Sequence, residues 1–258
     1  MQHFFVEPSQ IQDRRITITG PDVNHIRNVL RMHPGEEISV SNGTDGRDYR
    51  CEIDTITEDE VLCRLMFIKE DGVELPVRIT LFQGLPKADK MELIIQKAVE
   101  LGADEIVPVA TARCVVKLDD KKAKSKAERW QGISEAAAKQ SKRAVVPQVH
   151  MPLTMKEALN YASDMALAAI PYELAEGMQA TDRFVEEACR LAAQKGDEEE
   201  RPQIGIFIGP EGGFTEEEIA LAQEKNVSPV SLGKRILRTE TAGMAILSIL
   251  MYHLEERG

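Results

Sequence analysis

The sequence predicts a two-part chain: a small β-barrel over residues 1–72, followed over 73–258 by an α/β domain on a mostly parallel sheet. Three observations carry this reading. Before residue 70, short runs with alternating apolar residues are separated by Gly and Asn-Gly turns, the pattern of strands that bury one face. Beyond it, apolar strands alternate with amphipathic helix-length segments, which implies a parallel sheet covered by helices on both faces. Between the two lies a short polar junction, Lys69-Glu70-Asp71-Gly72 and then Pro76.

In the first part the strands are HFFV, RITITG, EEISVSNG, RDYRCEID and VLCRLMFI. One helix interrupts them, Pro21 to Met32, with Val23, Ile26, Val29 and Leu30 on one face and Asp22 near its start. The second part opens with the strand VRITLFQGL and a helix from about Lys87 to Leu101, whose Met91, Ile94, Ile95, Ala98 and Val99 face inward and which Gly102 stops. EIVPVA, a long charged helix near Lys121 to Gln140, a strand near Val145, a helix from Met155 and the run MALAAIP follow. Phe184, Val185, Ala188, Leu191 and Ala192 mark the next helix. After a polar linker from Gly196 to Pro202 come the strand QIGIFIG, a helix from Thr215 to Lys225, the strand PVSLG and an apolar final helix.

With 43 % hydrophobic and 29 % charged residues, the chain has ample apolar content for a core and is not of the disordered or collagenous classes. The start, MQHFFVEPSQ, lacks the features of a secretory signal. The apolar run from Thr241 to Leu254 is 14 residues long, short of the roughly 20 that span a bilayer, so no membrane partner is expected. Cys51, Cys63, Cys114 and Cys189 form no CxxC pair, which points to buried free thiols in a reducing cytoplasm and to no metal. Net charge is −6 over residues 1–72 and −5 over 73–258, yet Arg113 to Arg143 is locally +6. That stretch reads either as a phosphate-facing surface or as a solvated helix face.

Two glycine-bearing loops carry the chemistry. IGPEGGFTEEE follows a strand and opens a helix, with Thr215 and Glu218 spaced as a capping box. LGKRILRTETA does the same about 25 residues later, with Thr239 or Thr241 as the cap. Ligands of α/β sheets bind beyond the C-terminal ends of strands, and glycines let backbone groups approach them closely. Neither loop is GxxxxGK[ST] or GxGxxG, which argues against an ATPase or a dinucleotide-dependent dehydrogenase.

These two motifs, in this order, are similar to the paired C-terminal motifs of RsmE-type 16S ribosomal RNA (uracil-N3)-methyltransferases of the SPOUT class. The resemblance extends through HIRNVLRMHPGEEI, NGTDGRDYRCEI, KADKMELIIQKAVELGADEIVPV, TARCVVK, RWQGISEAAAKQSKRAVVPQV and IPYE. It implies a PUA-like barrel that binds RNA, a SPOUT α/β domain ending in a trefoil knot, S-adenosylmethionine as cofactor, 16S rRNA in the small ribosomal subunit as substrate, a homodimer and a cytoplasmic location. Knots are otherwise rare. The chain departs from the family at Ala112 and Lys139, where acidic residues are usual.

By resemblance, the cofactor-binding positions are Pro171, Gly209, Gly213, Leu232, Ile236, Leu237, Thr239, Thr241 and Ala242. N3 of uracil must lose a proton, which calls for a carboxylate to accept it or a cation to stabilise the anion. Arg238 and Glu240 are the candidates, with Arg113 a third; an ion pair holding the loops is the alternative role for each. Glu211 fits a loop anchor better than a catalyst. The expected RNA-binding residues are Arg31, Lys121, Lys122, Lys124, Lys126 and Arg143. A non-catalytic RNA-binding module and a ribose 2′-hydroxyl methyltransferase are the rival readings. The last helix, with Met244, Ile246, Leu247, Ile249, Leu250, Met251 and Leu254, is apolar nearly all round and predicts a dimer contact.

Overall fold

A computed structural model describes residues 1–69, 72–175, 177–194 and 201–255. Glu70 and Asp71 of the expected junction, and residues 196–200 of the later linker, lie outside the described residues. The chain divides into two compact units, Met1–Glu74 with Ala138–Val146, and Leu75–Ala137 with Pro147–Gly258.

The first unit is a six-stranded curled sheet formed by β1 (His3–Phe5), β2 (Ile11–Gln12), β3 (Arg15–Thr19), β4 (Glu37–Ser41), β5 (Asp48–Ile56) and β6 (Glu60–Lys69), in the order β1-β4-β5-β6-β3-β2. Only β1 and β4 pair in parallel. Alternation along the strands sends Ile16, Ile18, Ile38, Val40, Cys51, Ile53, Val61 and Cys63 into one core. Register shifts at Arg50/Cys51 and Ile53/Thr55 mark bulges, which bend a strand and sharpen its twist. Burial pushes the thiols of Cys51 and Cys63 up to about 12, leaving them unreactive. Cys114 and Cys189 are only partly buried.

The helix expected from Pro21 to Met32 is a short α1 (Pro21–Asn24) continued by a π turn over His25–Val29. The Leu30 N–H donates to His25 O at 2.8 Å, so the winding is wider than 3.6 residues per turn. Val23 and Ile26 stay in the core, but Val29 rotates out to 61 % exposure. Residues 138–146 complete this unit. Arg143 is 4 % exposed, and its Nε lies 3.1 Å from Glu74 Oε2 while Nη2 also meets that carboxylate. The other Glu74 oxygen accepts from the Ala144 N–H at 3.0 Å. Lys139, at one of the two unusual positions, pairs with Asp22 at 2.7 Å.

The second unit is a parallel seven-stranded sheet. Its strands are β7 (Arg78–Gly84), β8 (Ala103–Ala110), β9 (Gln148–Val149), β10 (Leu153–Thr154), β11 (Leu167–Pro171), β12 (Gln203–Ile208) and β13 (Ser228–Val230), in the order β10-β8-β7-β12-β11-β13 with β9 beside β8. Its helices are α2 (Lys90–Glu100), α3 (Asp120–Ser141) up to Ala137, α4 (Met155–Ala162), α5 (Gln179–Ala193), α6 (Glu216–Glu224) and α7 (Thr239–Leu254). Phe82 and Phe207 stack with centroids 4.2 Å apart and join Val107, Val109, α4 and α6 in one core. Because successive residues of a strand face opposite sides, Gln83 and Ile208 turn instead toward α7. The chain leaves β7 for β8 on one side and later places β12 on the other. A topological switch of this kind opens a crevice at the C-terminal strand ends.

Candidate active site

The loops that follow β11, β12 and β13, together with Lys90 at the start of α2, enclose a cavity of about 410 Å³ at those strand ends. Pro171, Gly209, Gly213, Leu232, Ile236, Leu237, Thr239 and Ala242, expected from the sequence to cluster, all line it. Thr241 does not: it is exposed on α7, because the 100° step between helical residues turns position 241 away from the side shared by 239 and 242.

The loops are held by buried hydrogen bonds. The Gln83 side chain is fully buried, and its Nε2 donates to Thr239 Oγ1 at 2.8 Å. Thr239 Oγ1 donates in turn to Gly209 O at 2.6 Å. A hydroxyl has one proton, so accepting from Gln83 directs that proton to Gly209 and ties β7, the loop after β12 and α7 together. Thr239 is therefore a latch and not an N-cap; Arg238 occupies the cap position without a side-chain bond. The neighbouring loop is latched similarly, with Thr181 Oγ1 donating to Ser231 O at 2.6 Å and accepting from Ser231 N–H at 3.1 Å.

Close approach explains two glycines. A Cβ on Gly84 would meet Pro210 N at 2.6 Å, and one on Gly209 would meet Gly213 Cα at 3.2 Å. Gly213 differs, because nothing lies within 4 Å of its missing Cβ and its constraint is φ +67°, a left-handed conformation natural to glycine. Thr215 and Glu218 make the expected capping box. Glu218 also reaches across to accept from the Ala112 N–H at 2.8 Å.

Charge gathers at the cavity wall. Lys90 Nζ lies 3.0 Å from Glu211 Oε1 and 3.3 Å from Glu240 Oε2. These carboxylates, with the Glu211 hydrogen bond foremost, raise the Lys90 pKa. Both Glu211 oxygens also accept from the Lys87 N–H, at 3.2 and 3.3 Å, so Glu211 anchors its loop to the segment after β7. Arg238 lines the cavity and makes no ion pair among the described residues. Arg113 is exposed and donates to Gly212 O at 3.0 Å, which ties it to the loop and leaves it outside the cavity lining.

Of the residues expected to meet RNA, Arg31, Lys121, Lys122 and Lys124 are exposed and Lys126 partly so. Lys122 sits 3.3 Å from Asp119, and Lys126 lies over the Trp130 ring at 5.5 Å. Arg143 is a correction: its guanidinium is spent on Glu74 inside the first unit and offers no surface to phosphate.

Sequence reasoning missed Lys90, Tyr172, Glu173 and Arg235 among the lining residues, and Gln83 behind them. Lys90 and Gln83 flank the end of a parallel strand, where ligands collect; Lys90 lies within the KADKMELIIQ match but had no role assigned to it, and Gln83 lies outside the motifs that carry the resemblance. The bond between Gln83 and Thr239 spans 156 residues, beyond the reach of local pattern.

A family model for the RNA methyltransferase domain matches residues 73–251, and one for the RNA methyltransferase PUA domain matches 18–66. The chain is 39 % identical over 258 residues to ribosomal RNA small subunit methyltransferase E of Bacillus subtilis, covering 99 % of this chain and 98 % of that one. It is 34 % identical to the Synechocystis protein of the same name, covering 97 % and 77 %. Among solved structures, that enzyme from Neisseria gonorrhoeae, bound to S-adenosylmethionine, superposes with a TM-score of 0.76 at 30 % identity over 96 % of this chain and 95 % of that one. A Legionella pneumophila protein in complex with the same cofactor gives 0.78 at 31 %, covering 97 % and 96 %. With a domain match over most of its length and full-length relatives above 30 % identity, the chain belongs to the RNA methyltransferase family.

Proposed function

We propose that this protein transfers a methyl group from S-adenosylmethionine to N3 of a uridine in 16S rRNA of the small ribosomal subunit. The observation that carries the reading is the cavity built from the two glycine-bearing loops, in a chain whose relatives are small-subunit rRNA methyltransferases and include cofactor-bound structures. Its residues fit the cofactor. The volume of about 410 Å³ lies in the usual range for small-ligand sites. The wall is mixed: Leu232 and Leu237 are apolar, whereas Ser231 and Thr239 carry hydroxyls. At Gly209 a side chain would press on Gly213 and Phe214, two other residues of the wall, and displace it. When bound, S-adenosylmethionine supplies an activated methyl group, so this chain's task is alignment and charge.

Gly209, Gly213 and the backbone of 232–237 hold and orient the donor. Arg238, free of an anionic partner among the described residues, faces the negative charge that develops on the uracil carbonyls as the N3 proton leaves. Glu240 pairs with Lys90, and its role in this reading is to fix the wall beside Arg238; Arg113 fixes Gly212. Outside the cavity, Arg31 on the PUA-like unit and Lys121, Lys122, Lys124 and Lys126 on α3 supply sequence-independent contacts to phosphate.

The reading extends to a cytoplasmic homodimer with a knotted C-terminal segment. Partly exposed Met244, Ile249 and Met251 and the 61 % exposed Tyr252 on α7 support the dimer. The return of the chain from edge strand β13 to pack α7 on α2 and β12 supports the threading. No helix among the described residues is long and apolar enough to cross a membrane. The test supplies purified protein and methyl-labelled S-adenosylmethionine to small and large subunits from a deletion strain. Label entering 16S rRNA of small subunits alone is the expected result; label in neither RNA overturns the proposal.

A further inference from the structure

The segment from Lys225 to Thr239 contains four cations and no Asp or Glu, in a protein with 43 acidic and 32 basic residues. Three of those cations, Lys234, Arg235 and Arg238, stand on the loop after β13. All three are exposed, and none makes an ion pair or side-chain hydrogen bond among the described residues. Several cations elsewhere find partners, among them Lys90 with Glu211, Arg129 with Glu92, Lys139 with Asp22 and Arg143 with Glu74. Acidic groups are therefore abundant on this chain, yet they are kept off this loop.

Between the cations sits Ile236, which is 85 % exposed. A lone exposed isoleucine is ordinary. This one stands on the cavity rim with Arg235 and Arg238, which also line the cavity. Any nucleotide that reaches the cavity must bring its own sugar-phosphate chain past that rim. N3 is on the Watson–Crick edge, so the uridine has to be unpaired or drawn out of its helix; a drawn-out nucleotide exposes neighbouring base faces and leaves its flanking phosphates to be gripped from outside.

We infer that residues 234–238 form the clamp for the RNA strand at the active site, with Lys234 and Arg235 on the phosphates flanking the target nucleotide and Ile236 against the base face left unstacked. The inference rests on the functional reading above and adds to it a specific docking element. Charge complementarity selects RNA as the occupant, since three unpaired cations suit a polyanion. Apolar side chains inserted at unstacked steps are a recurrent device for holding distorted nucleic acid. Arg238, one helix position before the latch at Thr239, connects the clamp to the reacting base.

The test compares wild type with Lys234→Ala/Arg235→Ala and with Ile236→Ser, using small subunits from a deletion strain. It reads RNA binding against salt, methyl transfer, S-adenosylmethionine affinity by calorimetry, and sedimentation. For the double variant the clamp predicts cofactor affinity within threefold of wild type and a KM for subunits raised about tenfold or more. The log–log salt slope should fall by about 1.4, since each phosphate contact to a single strand contributes about 0.7. Ile236→Ser should keep the salt slope and lose turnover with cofactor affinity within threefold of wild type; loss of cofactor affinity would assign the Ile236 side chain to the cofactor and overturn its place in the clamp. An unchanged slope and KM in the double variant overturns the clamp. So does loss of cofactor binding, which would assign the loop to the cofactor, or conversion of a dimer to monomer, which would assign it to a second copy. If wild type binds subunits without methylating them while the double variant loses that binding, the clamp stands and the functional reading fails.

Discussion

Replacing Thr239 by Val exchanges a hydroxyl for a methyl of nearly the same shape at a residue only 4 % exposed. Two hydrogen bonds disappear, the 2.8 Å bond from Gln83 Nε2 and the 2.6 Å bond to Gly209 O. Gln83 Nε2 retains its 3.0 Å bond to Gly84 O, so the larger loss falls on the Gly209 carbonyl. Leaving a buried polar group without a partner costs about 1–3 kcal/mol, which puts the substitution near 2–4 kcal/mol in all. At about 2–4 °C per kcal/mol for a domain of this size, the α/β unit should melt roughly 4–16 °C lower. S-adenosylmethionine affinity should fall with it, because Gly209 and α7 are no longer tied. Thr239→Ser keeps the hydroxyl and loses only a methyl, about 1 kcal/mol. Thermal melting and calorimetric titration of both variants are the assay. Equal losses in Thr239→Val and Thr239→Ser would refute the latch, since the methyl and not the hydroxyl would then be what matters.

Gly213→Ala should cost about 1–2 kcal/mol through its positive φ, and Gly213→Asn should cost less because Asn tolerates that conformation; denaturant midpoints distinguish them. Arg238→Ala should lower turnover about 10²-fold with cofactor affinity changed less than threefold, as measured by steady-state kinetics beside calorimetry. Replacing Lys121, Lys122, Lys124 and Lys126 by Ala should flatten the salt dependence of RNA binding by about 2, short of four full contacts because Lys122 is shared with Asp119; an unchanged slope returns α3 to a solvated face. Glu105 has its pKa lowered, first by the hydrogen bond with His150 and also by that from Tyr161. Its ionised form therefore adds stability above the ordinary carboxylate value of 4.5, and that contribution is lost as pH falls through the depressed folded value. Stability of Glu105→Gln should fall less steeply than wild type below pH about 4.5, as read from urea midpoints across an acid series.

Much of the second unit was legible because its signals are local. The strand before Gly209 and the Thr215/Glu218 capping box are short patterns that survive folding unchanged. The cavity was legible too, since both loops carry glycine and sit at strand ends. What the chain concealed depends on distance or on winding. Val29 fits a 3.6-residue period, and only the π turn from His25 rotates it outward. Arg143 belongs by sequence to a basic stretch, and its burial against Glu74, 69 residues away, cannot be read from composition. Gly213 reads as a site of close approach, yet the crowding is at Gly209 and Gly84, where another loop comes near. Thr239 resembles a cap because caps are hydroxyl residues at helix starts; the approach of Gln83 from β7 diverts it to Gly209.

The identity of the methylated nucleoside tests the central claim most directly. Small subunits from a deletion strain are incubated with this protein and labelled S-adenosylmethionine, the 16S rRNA is digested to nucleosides, and the label is identified by mass spectrometry against standards. The account predicts 3-methyluridine, formed by wild type and sharply reduced in Arg238→Ala. Label in a 2′-O-methyl nucleoside, which carries its methyl on the ribose, would contradict it.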